Sequence, residues 1–303
     1  MRKGRDISIQ FIGYLMVMTA SLLFGFNGNL SRLLFDGGIT PITLVQFRML
    51  IGGGCLLGVL LAGQRKALIV RRRHWGWLVA FGLTLALVTY TYFVAISLLP
   101  IAIALVIQFS AAAWMALGEA IWRRRLPSRY VLIALLCTFG GIVLLTGIWR
   151  LSFNGLNLVG LLYAVLSLVA YIAYLVLGRR AGRDLPSLST TTYGALVATV
   201  FWFCVQPPWT VPASTWVPRN FLLICVVGIF GMAIPFSLML GSLRRIDATR
   251  VGIAGMLELV AAGVIAYFWL GQHLDLSQIV GCLLVLVGLT VLQYEKPEPL
   301  EPL

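Results

Sequence analysis

Ten apolar runs, each of about 20 residues, constrain this chain more than any motif in it. They lie at roughly 11–34, 41–63, 75–98, 101–122, 129–149, 156–178, 188–206, 220–243, 248–270 and 275–293. A helix of about 20 residues rising about 1.5 Å each crosses the hydrocarbon of a bilayer. Only helices and closed barrels satisfy every backbone group there. Ten transmembrane helices are therefore predicted. The connectors are short and marked by Gly, Pro or charge, as at Asp36-Gly37-Gly38 with Pro41, and at Pro100. Only the segment from Pro207-Pro208 to Pro218 is long enough to hold structure of its own.

Composition agrees, with 60% hydrophobic residues, 11% charged residues and a mean hydropathy of +0.96. The net charge of +13 does not mark a nucleic-acid binder, because the cations sit between the apolar runs. With the N-terminus placed in the cytoplasm, nineteen Lys and Arg fall on that side, among them Arg65, Arg125, Arg179, Arg183, Arg250 and Lys296. Three, Arg32, Arg150 and Arg219, fall on the other, and Arg48 lies inside a span. This asymmetry predicts cytoplasmic termini. Trp75, Trp77, Trp122, Trp149, Trp209, Trp216 and Trp269 fall near span ends, as an aromatic belt requires, while Trp114 and Trp202 lie deeper. The basic start at Arg2, Lys3 and Arg5 leads into a run too long for a cleaved signal, so a retained first helix is expected. Five cysteines, all within apolar runs and without C-x-x-C spacing, read as apolar filler.

A weak internal repeat appears when the second half is slid over the first by 148 residues. Leu126 then falls on Leu274, Gly140 on Gly288 and Ser110 on Glu258. Five spans per half is an odd number, so the halves, 1–150 and 151–303 with a short C-terminal tail, must run in opposite directions across the membrane. The fold class is an all-α polytopic membrane protein of ten helices in two inverted five-helix repeats, with a binding site expected near the midplane.

No nucleotide-binding, metalloprotease or nucleophile-elbow motif is present, and the two histidines, His74 and His273, stand near span ends. Neither an enzyme nor a cofactor or metal is expected. Glu258, mid-span in the ninth run, is the sharpest candidate, since a carboxylate at the bilayer centre faces a partner, a cavity or a transport path. A packing role for it is an equal alternative. Gly252, Gly255 and Glu258, three apart, would share one helical stripe. Arg48, about 10 Å into its span by helical rise, is read mainly as a structural cation that caps backbone carbonyls or pairs with a carboxylate. Glu119 would pair with Arg123 four residues on. Asn27 and Asn29 flank Gly28 in the first span, with Asn27 the candidate to reach a cavity. Tyr90, Tyr92 and Phe93 cluster in the third span, and Tyr163, Tyr171 and Tyr174 fall within about 80° on the sixth. With mid-span Gln108, Ser110, Ser237 and Ser242 they would suit an apolar cavity with few polar handles, although core packing is the commoner role of such a stripe. Gly54/Gly58 and Gly178/Gly182 have the G-x-x-x-G spacing of packed helices.

The stretches LLFGFNGN (Leu22 to Asn29) and PITLVQFR (Pro41 to Arg48), and the endings GGIVLL and VGLTVL, resemble the drug/metabolite transporter superfamily. The likeness is to its ten-helix exporter branch, and within it to the aromatic amino-acid exporters of bacterial inner membranes. One departure is Leu259, which follows Glu258 where many members carry proline. The resemblance implies a central cavity lined by helices 1, 3, 4, 6, 8 and 9, and export of amino acids and related small amphipathic compounds. The expected site residues are Asn27, Tyr90, Gln108, Tyr163, Tyr171, Ser237 and Glu258. The expected partners are a small-molecule substrate and the lipid bilayer, with no nucleic acid, for a monomer in which proton coupling stays open. The alternatives are a carrier of another metabolite or nucleotide-sugar, an intramembrane lipid enzyme and a non-transporting membrane subunit.

Overall fold

The computed structural model describes residues 2–99, 101–124, 126–148, 157–182, 185–270 and 275–294. Pro100, Arg125, Trp149, Arg150, Arg183, His273, Leu274, Lys296 and the tail lie outside the described residues, as do the side chains of Arg2, Lys3, Arg5, Arg32, Arg123 and Trp269. The described chain is helical, without strands. Ten helical stretches are long and apolar enough to cross a bilayer.

The first three spans are α1 (Arg2–Asp36), α2 (Pro41–Gly63) and α3 (Trp75–Leu98). Pro41 opens α2 where its missing N–H costs nothing, and the Thr40 side chain caps the turn by accepting from the Thr43 N–H. The fourth span is interrupted: α4 (Ile101–Phe109) and α5 (Ala111–Arg123) meet at Ser110. There the Ser110 N–H is shared between the Val106 and Ile107 carbonyls at 3.2 Å each, and its hydroxyl donates to the Ile107 carbonyl at 2.6 Å. Such back-bonding tightens and bends a helix without unwinding it. The fifth to seventh spans are α6 (Arg129–Thr146), α7 (Leu158–Ala181) and α8 (Ser187–Val205).

The eighth span combines α9 (Pro218–Gly228), a π turn (Ile229–Ala233) and α10 (Ile234–Leu243). Pro235 explains the wide turn. Having no N–H, it cannot bond the carbonyl of Gly231 four residues earlier, and the Ile234 N–H instead reaches Ile229. The ninth span is α11 (Ala248–Gly255) and α12 (Leu257–Leu270), broken at Met256, and the tenth is α13 (Leu276–Gln293). A capping box joins Asp275 and Gln278 at the start of α13. In the 148-residue register Ser110 corresponds to Glu258, so the two interruptions fall within two residues of equivalence. The break at Met256 also corrects the expected stripe. Gly252 lies against Ala112 and Met115, Gly255 against the Tyr171 hydroxyl, and Glu258 stands in the first turn of the next helix.

Packing among the spans rests on close backbone approach. The pairs α6 with α13, α3 with α7, and α2 with α8 form broad contacts, while α1 runs along α10 and α12. Thr138 meets Gly288, Gly141 meets Val285 and Leu145 meets Gly281, so α6 and α13 run antiparallel. On α2 the glycines that pack are Gly52, against Gly228 and Met232, and Gly53, against Ala195. The expected pair Gly54/Gly58 has no neighbour within 4 Å and faces outward, because helix rotation places it on the opposite side. Apolar side chains such as Leu136, 75% exposed, and Trp114, 56% exposed, cover the outside, which suits lipid as solvent.

One cluster of charges ties the end of α7 to the start of α11. Arg179 Nη2 lies 2.8 Å from Asp247 Oδ1, with Arg250 Nε at 3.8 Å from the other carboxylate oxygen. Nearby, the Thr249 hydroxyl donates to Glu119 at 3.3 Å. Both Arg179 and Asp247 are largely buried, so Asp247→Asn takes from Arg179 the carboxylate it pairs with at 2.8 Å. We expect it to cost about 2 kcal/mol, a fall of about 4 °C in Tm in detergent. An unchanged Tm would show that the pair contributes nothing.

Candidate functional site

A cavity of about 100 Å³ opens among the middles of spans 1, 2, 3, 4, 6, 8 and 9. The interrupted and widened helices deliver several of its residues. Gln108 and Phe109 stand just before the break at Ser110, Glu258 just after the one at Met256, and Phe236 and Met239 follow the π turn. Asn27 and Phe24 come from α1, Tyr92 and Phe93 from α3, and Tyr171 and Tyr174 from α7.

Rings form much of the wall. Tyr171 and Tyr174 stack at 6.2 Å, Phe109 meets Tyr171 edge-on at 6.5 Å, and Phe236 meets Tyr174 at 5.6 Å and Phe24 at 5.0 Å. These offset and T-shaped contacts are the arrangements aromatic quadrupoles favour.

Two groups of opposite charge share this apolar space. Arg48 is 3% exposed, and its Nη2 donates to the Gly231 carbonyl at 2.6 Å. That carbonyl stands four residues before Pro235, which has no N–H to give it. The guanidinium also lies 5.6 Å from the centre of the Phe93 ring and 5.9 Å from that of Phe236, within cation–π reach of both. Glu258 lines the same cavity. Among the described residues no ion pair joins them, because Arg48 is held on the span 8 carbonyl. Three buried polar atoms of lining residues also lack a partner among the described residues: Arg48 Nε, Asn27 Oδ1 and the Tyr174 hydroxyl.

Of the seven expected site residues, Asn27, Gln108, Tyr171 and Glu258 line this cavity together. Tyr90 and Tyr163 lie elsewhere, their rings 6.2 Å apart, with Tyr90 4.8 Å from Trp202. Ser237 turns its hydroxyl back to the Ala233 carbonyl at 2.7 Å. Asn29, the packing partner in the first span, donates to the Gly25 and Ala262 carbonyls. Sequence reasoning passed over Phe236, read Arg48 mainly as a structural cap, and named Phe93 in an aromatic cluster without carrying it into the expected site. A signal for Arg48 existed, since Pro235 has no N–H to give a carbonyl in an apolar span and an intramembrane arginine is a natural donor to it.

The EamA-like transporter family model matches residues 11–147 and again 158–294, one copy in each half of the chain. The chain belongs to the EamA-like transporter family. This family lies in the drug/metabolite transporter superfamily, so the EamA-like chain is a multi-pass membrane transporter built of two repeats. It is 26% identical over 178 residues to the uncharacterised transporter YcbK of Bacillus subtilis, a stretch spanning 57% of each chain. It is 22% identical over 288 residues to the uncharacterised transporter YwfM of the same organism, covering 92% of both. The threonine/homoserine exporter RhtA of Salmonella typhimurium is 25% identical over 209 residues, 67% of this chain and 65% of RhtA. A crystal structure at 20% identity superposes with a TM-score of 0.79 over 92% of this chain and 95% of its own, a likeness of fold.

Proposed function

We propose that this transporter exports amino acids, with aromatic and other bulky apolar ones preferred, and related small amphipathic compounds across a bacterial inner membrane. It would do so as a monomer, by alternating access of two inverted repeats. The observation that carries the reading is a midspan cavity walled by aromatic rings and holding one cation and one carboxylate. Rings suit an apolar side chain, and the two charges suit an amino acid's own. The likeness to RhtA supports an amino-acid cargo. The antiparallel run of α6 and α13 supports inversion of the repeats, and the nineteen-to-three distribution of cations supports cytoplasmic termini. Glu258 is the titratable carboxylate on the path and the group through which a proton gradient would act.

Proteoliposomes containing labelled phenylalanine or threonine, with and without a pH gradient, test the reading. Flux of both is expected, faster for phenylalanine, and a proton-coupled carrier accelerates when the gradient is imposed. No flux of either sinks the proposal.

A carrier of phosphorylated metabolites or nucleotide-sugars fits less well. Its cargo would meet one cavity cation and a carboxylate of its own sign. Phosphate esters should therefore fail to compete with phenylalanine.

A further inference from the structure

On the export reading, the polar atoms of the cavity must tell an amino acid from an amine or acid of the same shape. We infer that Arg48 reads the substrate carboxylate and Glu258, with Asn27, reads the ammonium, so that the cavity takes α-amino acids as zwitterions.

The guanidinium offers five N–H donors in a rigid fork. Its bond to Gly231 uses one nitrogen, Nη2, and Nε is left without an acceptor among the described residues. A carbonyl cap alone does not need this surplus, and a buried charged donor without an acceptor is costly. The Tyr174 hydroxyl, 1% exposed, is a second unused polar group on the wall. Arg48 Nε and Tyr174 can both donate to a carboxylate.

The complementary set is present as well. Asn27 Oδ1 accepts nothing among the described residues and lies against Gly231, beside the carbonyl that anchors Arg48. Glu258 brings a carboxyl group to the same cavity, and an ammonium beside it favours its ionised form. Left free, a buried arginine and glutamate would collapse into an ion pair. The anchor on span 8 and the rings of Phe93 and Phe236 hold Arg48 back. What results is a guanidinium and a carboxyl group held apart in an apolar cavity. An α-amino acid, with both charges on one carbon, can lie antiparallel to it and bring charge-assisted bonds to each end. A molecule with one of the two charges leaves the other protein group buried and unmatched.

Competition against labelled L-phenylalanine efflux, with detergent thermal shift as a second readout, tests this. The probes are phenethylamine, which lacks the carboxylate, and 3-phenylpropionate, which lacks the ammonium. 1-Aminopropan-2-ol is set against L-threonine in the same way. For the wild type, each truncated probe is expected to bind about tenfold or more weakly than its parent amino acid. In Arg48→Gln the advantage of phenylalanine over phenethylamine should shrink to about twofold, while its advantage over 3-phenylpropionate stays. Should Arg48→Gln not fold for want of the Gly231 bond, Arg48→Lys and Tyr174→Phe carry the same readout by reducing discrimination against phenethylamine. Full discrimination in all the variants that fold, or a wild type that exports phenylalanine and phenethylamine equally, overturns this inference and leaves amino-acid export standing. A folded wild type that moves no amino acid overturns both.

Discussion

Glu258→Gln is expected to reduce phenylalanine efflux by about 30-fold or more while moving Tm by less than about 3 °C. The substitution keeps the shape and the hydrogen-bonding capacity of the side chain but removes the only carboxylate lining the described cavity. Among the described residues Glu258 makes no hydrogen bond or ion pair that holds helices together. The residues beside it in the chain, Leu257, Leu259 and Val260, are buried and keep their own side chains in the variant. A glutamate kept for packing would show equal losses of transport and stability, because its role would lie in contacts already made in the empty protein. A glutamate kept for transport loses what it does only when substrate or proton arrives. Efflux and thermal denaturation measured on one preparation separate the two, and parallel decline would return Glu258 to packing.

The second large effect lies outside the cavity, between α6 and α13. Gly281→Val should cost about 3 kcal/mol or more and reduce the yield of monodisperse protein, whereas Gly58→Val should be close to neutral. A Cβ on Gly281 would stand 2.6 Å from the Gly141 carbonyl oxygen and 2.7 Å from the Leu145 nitrogen. Both are backbone atoms of α6 and cannot rotate away. At Gly58 nothing lies within 4 Å. In a bilayer no hydrophobic gain compensates for a forced separation of helices, since lipid tails are as apolar as the side chains they replace. Size-exclusion profiles and Tm in detergent compare the variants directly. Equal behaviour of the two would mean that α6 and α13 do not pack as described.

Much of the architecture was legible from local chemistry. The expected ends of most spans agree with the helices to within a few residues. Run length, prolines such as Pro41 and Pro218, and caps such as Thr40 act on their own stretch of chain. The interruptions at Ser110 and Met256 were not legible, because neither residue carries a breaker of the strength of proline. Pro235 does, but its consequence, a carbonyl at Gly231 to which it gives no N–H, becomes informative only when a donor is found for it. The glycines show the same limit. Spacing singled out Gly54 and Gly58 on α2, yet Gly52 and Gly53, one face round, make the contacts.

The candidate site divides in a similar way. Depth in a span brought Asn27, Gln108, Tyr171 and Glu258 into the expected site, because a carboxylate at the midplane needs a partner or a cavity and polar or tyrosyl groups at like depth can share its wall. It also drew in Tyr90, Tyr163 and Ser237, which sit at suitable depth but point elsewhere. By itself the sequence determined ten spans, an odd number in each half, and a lone carboxylate near the middle of the ninth. Only the tertiary structure decided that Arg48 joins that carboxylate in one cavity, bound to a carbonyl 183 residues away and framed by Phe93 and Phe236. Hydropathy measures how deep a residue lies. Which way it faces is set by the rotation of each helix against its neighbours, through contacts between residues distant in the chain.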